Sequence, residues 1–251
     1  MQIKTKGIVL RTVKYSETSV ICDVYTEQLG LQTYIVSGIR KKNSKVGASL
    51  LQVMSLLEIV AYQKENKEIH RTKEIKPAYV YAELPFKLSK SAVGIFIAEL
   101  LQKTVKEAIP NPELFEFIWN TFVYLDLTTD SIANLHLAFM VQLADYLGFM
   151  PGGEYEIGKS YFDLKEGIYT NEMPLHTYIL NVEQSNLLQQ LGDIPIIESH
   201  KIDLSRYQRQ RLINRLIEFY QFHVDNFKTL NSHEIYKEIF WVSSSFLSRS
   251  R

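Results

Sequence analysis

The sequence lacks the residues that stabilise secreted proteins and the long apolar runs of membrane proteins. It contains one cysteine in 251 residues, so no disulfide can form within the chain, which fits a reducing compartment. No apolar run approaches the roughly 18 residues of a membrane-spanning helix, and no signal-peptide apolar region follows Met1. We therefore expect a cytoplasmic protein without membrane contact. Cys22 lies in an alternating apolar run and is interpreted as a buried residue rather than a nucleophile.

Motifs of metal binding and hydrolysis are also missing. The six histidines form no H-x-x-x-H pair and have no cysteine near them, and the nucleophile motif G-x-S-x-G does not occur. Because a Ser-His-Asp triad is assembled in space, hydrolysis stays open as a minor alternative. We expect a protein that is not an enzyme and has no catalytic residues, no metal and no other cofactor.

One segment does match a catalytic motif. Residues 153–160, GEYEIGKS, fit the phosphate-binding expression G-x-x-x-x-G-K-S. That motif needs a buried strand before the loop and a helix directly after it, because the helix N-terminus binds the phosphate. Here a helical pattern precedes, a strand-like pattern follows, and Glu154 and Glu156 would place carboxylates where phosphates must lie. We interpret the segment as a surface loop and rank nucleotide hydrolysis as a third alternative.

The two parts of the chain carry opposite charge. Residues 1–80 contain 13 Lys and Arg against 7 Asp and Glu, whereas residues 81–251 contain 15 against 21. The formal net charge of zero therefore hides a cationic N-terminal part and an anionic remainder. This asymmetry indicates that the N-terminal part meets a polyanion.

The N-terminal part has the pattern of a small β-barrel. Period-two alternation between Gly-containing and polar turns predicts five strands, at residues 7–12, 18–26, 31–36, 50–62 and 68–75. Five strands in about 80 residues suit a closed barrel of the OB (oligonucleotide/oligosaccharide-binding) type. Such barrels commonly bind single-stranded nucleic acid when they are basic.

After Pro77 the pattern becomes helical. Apolar residues at helical spacing predict helices at residues 91–108, 111–125, 131–147, 183–191, 204–222 and 232–246. Asn111 followed by Pro112 is an N-cap signature, and Ser131 is the predicted cap of the next helix. Gly148 is the predicted stop of that helix.

These patterns define an α+β protein with two domains. We predict a five-stranded OB-type barrel at residues 1–80, followed by an all-helical domain at residues 81–251. A small irregular insertion at about residues 151–174 contains a hairpin, whose strands lie at 161–164 and 168–169.

The loop between the third and fourth predicted strands is strongly basic. It carries four cations and no acid, and such a tip can pair with successive phosphates without reading sequence. For the loop alone, a solvated turn is an equal alternative. Arg11 and Lys14 end the first strand, where they can share an edge with the loop. The predicted phosphate contacts are Arg11, Lys14, Arg40, Lys41, Lys42 and Lys45.

Two further features point to ligands but have ordinary alternatives. Tyr15, Tyr25 and Tyr34 lie in or beside strands, where rings can stack on bases, although each tyrosine is more typical of packing. A second basic cluster lies in the predicted helix at 204–222. It consists of Arg206, Arg209, Arg211 and Arg215, and it is either a solvated helix face or a groove for an acidic or phosphate-bearing partner.

Several segments occur in an order typical of one family. They are residues 7–12 (GIVLRT), 15–19 (YSETS), 26–30 (TEQLG), 37–41 (SGIRK), 50–52 (LLQ) and 220–223 (YQFH). In order and spacing they resemble the RecO family of bacterial DNA repair proteins. The resemblance spans nearly the whole chain and is strongest in the first sixty residues or so.

The resemblance implies an OB domain, a helical domain and a recombination mediator that is not an enzyme. Members bind single- and double-stranded DNA and anneal complementary strands. With the partner RecR they load RecA onto DNA covered by single-strand-binding protein, and they bind that protein's acidic C-terminal tail. For this chain it implies DNA, RecR and the tail as partners, RecA indirectly, and a nucleoid-associated location. We assign the tail to the Arg206–Arg215 cluster, with Leu212 or Ile213 as apolar contacts.

One departure from the family concerns zinc. Many members carry a four-cysteine zinc module within the helical domain, but residues 151–174 contain no cysteine. We predict a hairpin that keeps its shape without metal. Two functions from other classes stay open: an OB-containing RNA-binding factor, and a scaffold that contacts proteins and no nucleic acid.

Overall fold

The computed structural model describes residues 1–37, 48–63 and 67–232. The chain forms two compact units, Met1–Leu127 and Thr128–Arg251. Among the described residues, the first contains a barrel and two α-helices, and the second contains three α-helices and a small sheet. The predicted domain boundary at residue 80 stays a prediction. None of the described helices has the length and hydropathy to cross a membrane.

The predicted five-stranded barrel is confirmed. Its strands are β1 (Gln2–Lys14), β2 (Ser19–Thr26), β3 (Gly30–Ser37), β4 (Leu56–Tyr62) and β5 (Ile69–Pro77). They close in the order β1-β2-β3-β5-β4, and β1 pairs with β4 to complete the ring. All neighbours are antiparallel except β3 and β5. Closure leaves no strand edge between β1 and β4, which removes a route to aggregation.

The fourth strand is shorter than its apolar run predicts. Residues 48–51 form a short 3-10 helix, and β4 begins only at Leu56. Leu51 is buried in the barrel core, and its carbonyl accepts a hydrogen bond from the Thr12 hydroxyl at 2.6 Å. A continuous apolar run fits a buried helical turn as well as a strand, so the sequence could not separate the two.

A bulge in β1 determines which of its side chains face outward. Val9 lies opposite Val24 and Arg11 lies opposite Asp23, so Leu10 is the extra residue. Val9 and Val24 are fully buried. Strict alternation would send Arg11 to the same inner side as Val9, but one extra residue reverses the parity of the strand. Arg11 therefore lies on the outside of the barrel.

Gly30 allows the β2–β3 turn to approach the chain that follows the first helix. Its φ of +64° is accessible to glycine at little cost. A Cβ atom there would lie 2.4 Å from the carbonyl oxygen of Ile109. The next residue, Leu31, donates its backbone N–H to the carbonyl of Glu107 at 3.0 Å. The turn is thereby attached to residues 105–111.

Two helices complete the first unit. They are α1 (Leu88–Thr104) and α2 (Pro112–Leu127). The predicted cap of α2 is confirmed, because the side-chain oxygen of Asn111 accepts the backbone N–H of Leu114 at 3.0 Å. Lys6 of the barrel lies 5.5 Å from the ring centre of Trp119 on α2.

The carboxylate of Asp126, at the end of α2, orders the segment between the barrel and α1. It is fully buried and accepts the hydroxyl of Tyr79 at 3.0 Å. It also accepts the backbone N–H groups of Ala82, Glu83 and Leu84 at 2.7 to 3.0 Å. Burial alone raises the pKa of Asp126, but these hydrogen bonds outweigh burial and hold the pKa below its ordinary 3.8.

The second unit is built from helices around a small sheet. Its elements are α3 (Leu135–Tyr146), β6 (Tyr161–Asp163), β7 (Ile168–Thr170), β8 (Ile179–Leu180), α4 (Val182–Asp193), a 3-10 helix (Ile196–Lys201) and α5 (Arg206–His223). The predicted hairpin is present as β6 and β7, and β8 is a third strand that the sequence did not reveal. The helix predicted at 232–246 falls outside the described residues, apart from Ser232.

The predicted start of α3 is wrong. The helix begins at Leu135 after Asn134, rather than after Ser131. The amide of Asn134 donates to the carbonyls of Ser199 and Ile202 at 2.9 and 2.8 Å. Asn134 thus fastens the start of α3 to the 3-10 helix, a long-range role that local cap preferences do not predict. The predicted stop is close, because α3 ends at Tyr146 and Gly148 has a φ of +82°.

Replacing Asp126 by Asn should destabilise the first unit in a pH-dependent way. The change removes a buried charge and weakens hydrogen bonds from three backbone donors, which costs roughly 3 kcal/mol at neutral pH. Since the folded-state pKa is depressed, the stability from the charge is present above about pH 4. It is lost as the pH falls through the folded-state pKa.

Amide hydrogen exchange at residues 82–84 measures this effect locally. Exchange should be faster in Asp126→Asn than in the unmodified protein at pH 7, and the difference should shrink near pH 3. Asp130→Asn, at an exposed carboxylate, is the matched control and should change neither. A difference between Asp126→Asn and the unmodified protein that is independent of pH would contradict the assigned role.

Candidate nucleic-acid interface

A row of side chains crosses the outside of the barrel. Cα register places Val13 opposite Ile21, Ile21 opposite Ile35, Ile35 opposite Arg71, and Arg71 opposite Tyr62. Directly opposed residues point to the same side of a sheet. Val13 and Tyr62 are each 45% exposed, and Ile21 and Ile35 are half-buried. An apolar stripe therefore meets solvent across the strands.

A second row runs beside the first. Arg11 lies opposite Asp23, Asp23 opposite Thr33, and Thr33 opposite Ile69. Arg11 pairs with Asp23 at 2.6 Å, and the Thr33 hydroxyl donates to the other Asp23 oxygen at 2.9 Å. Ile69 is 44% exposed. We call the two rows together the outer barrel face; its members are Val13, Ile21, Ile35, Arg71, Tyr62, Arg11, Asp23, Thr33 and Ile69.

Cations flank the outer barrel face on the β4–β5 side. A groove of about 830 Å³ is lined there by Ile35, Tyr62 and Ile69 together with Lys67, Arg71 and Lys73. Lys73 donates to the side-chain oxygen of Gln2 at 3.1 Å. Within the described ranges, no carboxylate forms an ion pair with Lys67 or Arg71. Their charges are therefore available to an anionic ligand. The sequence pattern did not single out these residues, although the excess of Lys and Arg over acids in residues 1–80 was the signal that could have found them.

Other cations of the barrel are already engaged. Lys4 and Lys76 both pair with Glu58, at 3.4 and 3.0 Å, and Lys6 lies over Trp119. The hydrogen bond from Lys76, followed by the charge of Lys4, lowers the pKa of Glu58. By contrast, Lys67, Arg71 and Lys73 form no ion pair within the described ranges, and all three line the groove beside the outer barrel face.

The predicted DNA contacts fall into two groups. Arg11 lies on the outer barrel face, and Lys14 ends β1 opposite Val20, close to where β3 ends at Ser37. Lys14 is exposed and forms no ion pair with any residue of the described ranges. The other contacts, Arg40, Lys41, Lys42 and Lys45, lie outside the described residues and stay predictions.

Two of the three candidate stacking tyrosines are core residues. Tyr25 and Tyr34 are buried, and burial raises the pKa of Tyr25 to about 12. Tyr15, beside Lys14, is 64% exposed. The exposed ring on the far side of the outer barrel face is Tyr62, which the sequence did not single out. Cys22 is also buried, and burial together with Asp23 raises the pKa of its thiol to about 12.

The arginines of α5 do not form one uniform patch. Arg209 donates to the Leu204 carbonyl and lies 3.5 Å from the side-chain oxygen of Asn134, whereas Arg215 pairs with Glu218 at 2.6 Å. Arg211 is exposed, and its guanidinium lies 5.5 Å from the ring centre of Tyr207. Arg206 is half-buried in the first turn, after a capping box formed by Ser205 and Gln208.

The predicted apolar contacts on α5 are wrong. Leu212 and Ile213 are fully buried and form part of the unit's core, so a partner cannot reach them. The exposed apolar surface beside Arg211 belongs to Tyr207, which is 64% exposed.

The segment that matches the phosphate-loop expression has another role. Lys159 pairs with Glu156 at 3.2 Å, and the Lys159 ammonium is the main cause of the lowered pKa of Glu156. Ser160 is buried, and its hydroxyl donates to the side-chain oxygen of Asn171 at 3.0 Å. Strand β6 follows directly, so the helix N-terminus that would bind phosphate is not where the motif needs it.

The hairpin of residues 151–174 does not fit a four-cysteine zinc site. It contains no cysteine, and no group of three potential ligands that could hold a metal occurs in the described ranges. Instead, aromatic rings pack it against α5. Phe162 contacts Tyr169 and Phe219 with ring centres 5.0 and 5.4 Å apart, and Phe149 stacks on His223 at 5.5 Å. Such pairs add stability beyond area burial.

A closed five-stranded barrel with appended helices places the chain among OB-barrel proteins. Two family models match it: Recombination protein O N terminal over residues 1–81 and Recombination protein O C terminal over residues 85–233. DNA repair protein RecO of Flavobacterium johnsoniae is 37% identical over 244 residues, which cover 96% of this chain and 100% of that protein. The RecO of Bacteroides fragilis is 33% identical over 239 residues, covering 94% and 98%. The RecO of Porphyromonas gingivalis is 25% identical over 244 residues, covering 96% and 100%.

The chain therefore belongs to the RecO family. The resemblance that the sequence segments carry is confirmed. The family's role is that of a recombination mediator in DNA repair, and it is not a known enzyme family.

Phe162→Ala should destabilise the second unit, whereas metal chelation should not. Truncating a fully buried ring typically costs about 3 to 5 kcal/mol, because the cavity breaks the contacts that join the hairpin to α5. Chemical denaturation measures the loss. Phe222→Ala, at a ring of α5 that is 41% exposed, is the control and should cost about 1 kcal/mol or less. Bound zinc in the purified protein, or a melting temperature lowered by a chelator, would contradict metal-free packing.

Proposed function

We propose that the protein mediates recombination in DNA repair by binding single-stranded DNA on the outer barrel face and annealing complementary strands. The observation that carries the proposal is an exposed apolar stripe across four strands with uncompensated cations beside it. Unpaired bases present apolar faces that such a stripe can cover, and their phosphates can meet the cations.

The stripe favours single strands over duplex. In a duplex the base faces are stacked inside, so only phosphates and groove edges reach a flat protein surface. Duplex DNA would then use Lys14, Lys67 and Arg71 as phosphate contacts but leave Val13 and Ile69 uncovered. Tyr62 and Tyr15, exposed at opposite ends of the face, supply rings for stacking. We expect binding to both forms, with tighter binding to single strands.

Annealing on this surface requires no covalent chemistry. Two strands repel each other through their phosphates, and cations reduce that repulsion as counterions are released. Holding two strands near one surface raises their effective concentration for pairing. The predicted basic contacts, Arg40, Lys41, Lys42 and Lys45, follow Ser37 in the sequence and would add phosphate contacts.

The proposed partners are those of a recombination mediator. With RecR, the protein would help load RecA onto DNA coated by single-strand-binding protein, in the cytoplasm at the nucleoid. We assign the acidic C-terminal tail of single-strand-binding protein to α5, through Arg206, Arg209, Arg211 and Arg215. Arg211 has the most accessible charge, because Arg209 and Arg215 already bond within the unit. Tyr207 replaces Leu212 and Ile213 as the apolar contact.

Replacing Lys67 and Arg71 by Ala should weaken binding to single-stranded DNA and flatten its salt dependence. For single strands, each lost phosphate contact reduces the slope of log K against log salt by about 0.7, so two lost contacts reduce it by about 1.4. Fluorescence anisotropy with a labelled oligonucleotide at several salt concentrations measures both effects. Lys4→Ala with Lys76→Ala removes the same charge from the same barrel and should change the slope less, because both lysines pair with Glu58.

Tyr62→Ala separates stacking from charge. Loss of one base–ring contact should weaken single-strand binding by about tenfold and leave the salt slope unchanged.

The triple variant Arg40→Ala, Lys41→Ala and Lys42→Ala tests the basic loop in the same titration, and we expect a reduced slope. If the salt slope is unchanged both in the variant of Lys67 and Arg71 and in the triple variant, the barrel is not the DNA interface.

Strand annealing on DNA precoated with single-strand-binding protein, with and without RecR, tests the function as a whole. The protein should accelerate annealing of complementary strands, and with RecR it should shorten the delay before RecA assembles. Competition by RNA of the same sequence distinguishes an RNA-binding factor. Absence of any mobility shift with plain single-stranded DNA would leave a protein scaffold as the better account.

Arg211→Ala should weaken binding of a fluorescent peptide that copies the acidic tail. Loss of one accessible cation is expected to lower affinity about fivefold, and less at high salt because the contact is exposed. Arg215→Ala should have a smaller effect, since Glu218 already neutralises that residue. Lys201→Ala, at a lysine paired with Glu198, is the control. If neither Arg211→Ala nor Arg215→Ala changes the affinity for the peptide, the tail binds a surface other than α5.

A further inference from the structure

A pocket of about 240 Å³ lies between α3 and α4 in the second unit. Val141 and Leu188 form its apolar floor and are buried. Tyr169 of β7 and Met150 close one side. None of the residues proposed to contact DNA or the acidic tail lines it.

The rim of this pocket is acidic. Asp145 of α3 and Asp193 of α4 both line it and are exposed. Asp193 accepts the side-chain amide of Gln189 at 2.9 Å, and no Lys or Arg is among the lining residues. Within the described ranges neither carboxylate forms an ion pair. Two negative charges therefore face the opening without a counter-charge.

The side-chain amide donors in the pocket are already used. The side-chain N–H groups of Gln142 donate to the carbonyls of Leu191 and Ile194 at 3.0 and 2.9 Å. Burial, with added effects of Tyr155 and Asp193, raises the pKa of Tyr169, so its hydroxyl stays protonated beside negative charge. The pocket consequently presents two rim carboxylates and a tyrosine hydroxyl above an apolar floor, which disfavours an anionic ligand.

The volume limits what can enter. Sites for small molecules usually measure about 300 to 1,000 Å³, and this pocket is smaller. Its size suits one long side chain rather than a drug-sized molecule. A side chain with an apolar stem and a cationic head matches both the floor and the rim.

We propose that this pocket receives an arginine side chain from a basic segment of a partner protein. The stem of the arginine covers Val141 and Leu188, and the guanidinium pairs with Asp145 and Asp193. Arginine fits better than lysine because its planar head can donate to two carboxylates at once. The site differs in charge from α5, so the protein has separate surfaces for acidic and basic partners.

Nuclear magnetic resonance of the full chain with two synthetic peptides tests the proposal. One peptide is acetyl-Gly-Leu-Arg-Leu-Gly-amide, and the other has Glu in place of Arg. The arginine peptide should shift the amide signals of Val141, Tyr169 and Gly192, and the shifts should diminish as salt is added. The glutamate peptide should leave them unchanged. Equal shifts with both peptides, or none with the arginine peptide at millimolar concentration, would overturn the proposal.

Charge variants locate the effect. Asp145→Asn with Asp193→Asn should weaken arginine-peptide binding about tenfold or more, while the fold remains intact because both residues are exposed. Asp203→Asn changes an exposed carboxylate of the same unit outside the pocket and should have no effect. Equal affinities for the double variant and the unmodified protein would refute the assignment. Sedimentation tests one other occupant. If the unmodified protein self-associates and the double variant does not, a second copy of the chain occupies the pocket, and the partner assignment is wrong.

Discussion

The bulge in strand β1 determines which side chains of the barrel face solvent and which face the core. One extra residue, Leu10, lets Val9 face the core and Arg11 face outward. Because β2, β3 and β5 pair in register, the alternation of their side chains follows that of β1. Ile21, Ile35 and Ile69 therefore lie on the outside of the barrel together with Arg11 and Arg71. A barrel without the bulge would have to bury the guanidinium of Arg11 or lose pairing with β2. The outer barrel face is therefore a consequence of one backbone irregularity.

A second constraint joins the barrel to its helices. The carboxylate of Asp126 accepts donors from the segment after β5, while the ammonium of Lys90 donates to the Asp126 carbonyl at 2.7 Å and to Glu83 at 2.8 Å. A buried acid is tolerated because several donors replace the water it loses. These contacts fix where α1 begins, at Leu88, three residues before the sequence pattern placed it. The first unit thus depends on polar contacts as well as on apolar packing.

Sequence patterns predicted the barrel and most helices, because period-two and helical spacing reflect local burial directly. They failed at Asn134 and at residues 48–51, where hydrogen bonds to residues distant in sequence decide the conformation. The candidate interface was only partly predictable. Arg11 and Lys14 were found from charge near a strand end, but Arg71, Ile35 and Tyr62 are brought together only by the β3–β5 and β4–β5 pairings. Burial of Tyr25, Tyr34, Leu212 and Ile213 likewise depends on packing between distant elements.

The burial of Cys22 has a consequence for damage by oxidants. Burial raises the pKa of the Cys22 thiol to about 12, so the thiol stays protonated at neutral pH, and the sulfur is screened from solvent by the barrel wall. The hairpin of β6 and β7 is packed by hydrocarbon rings. Peroxides that break DNA would thus find no reactive sulfur among the thiols of this chain.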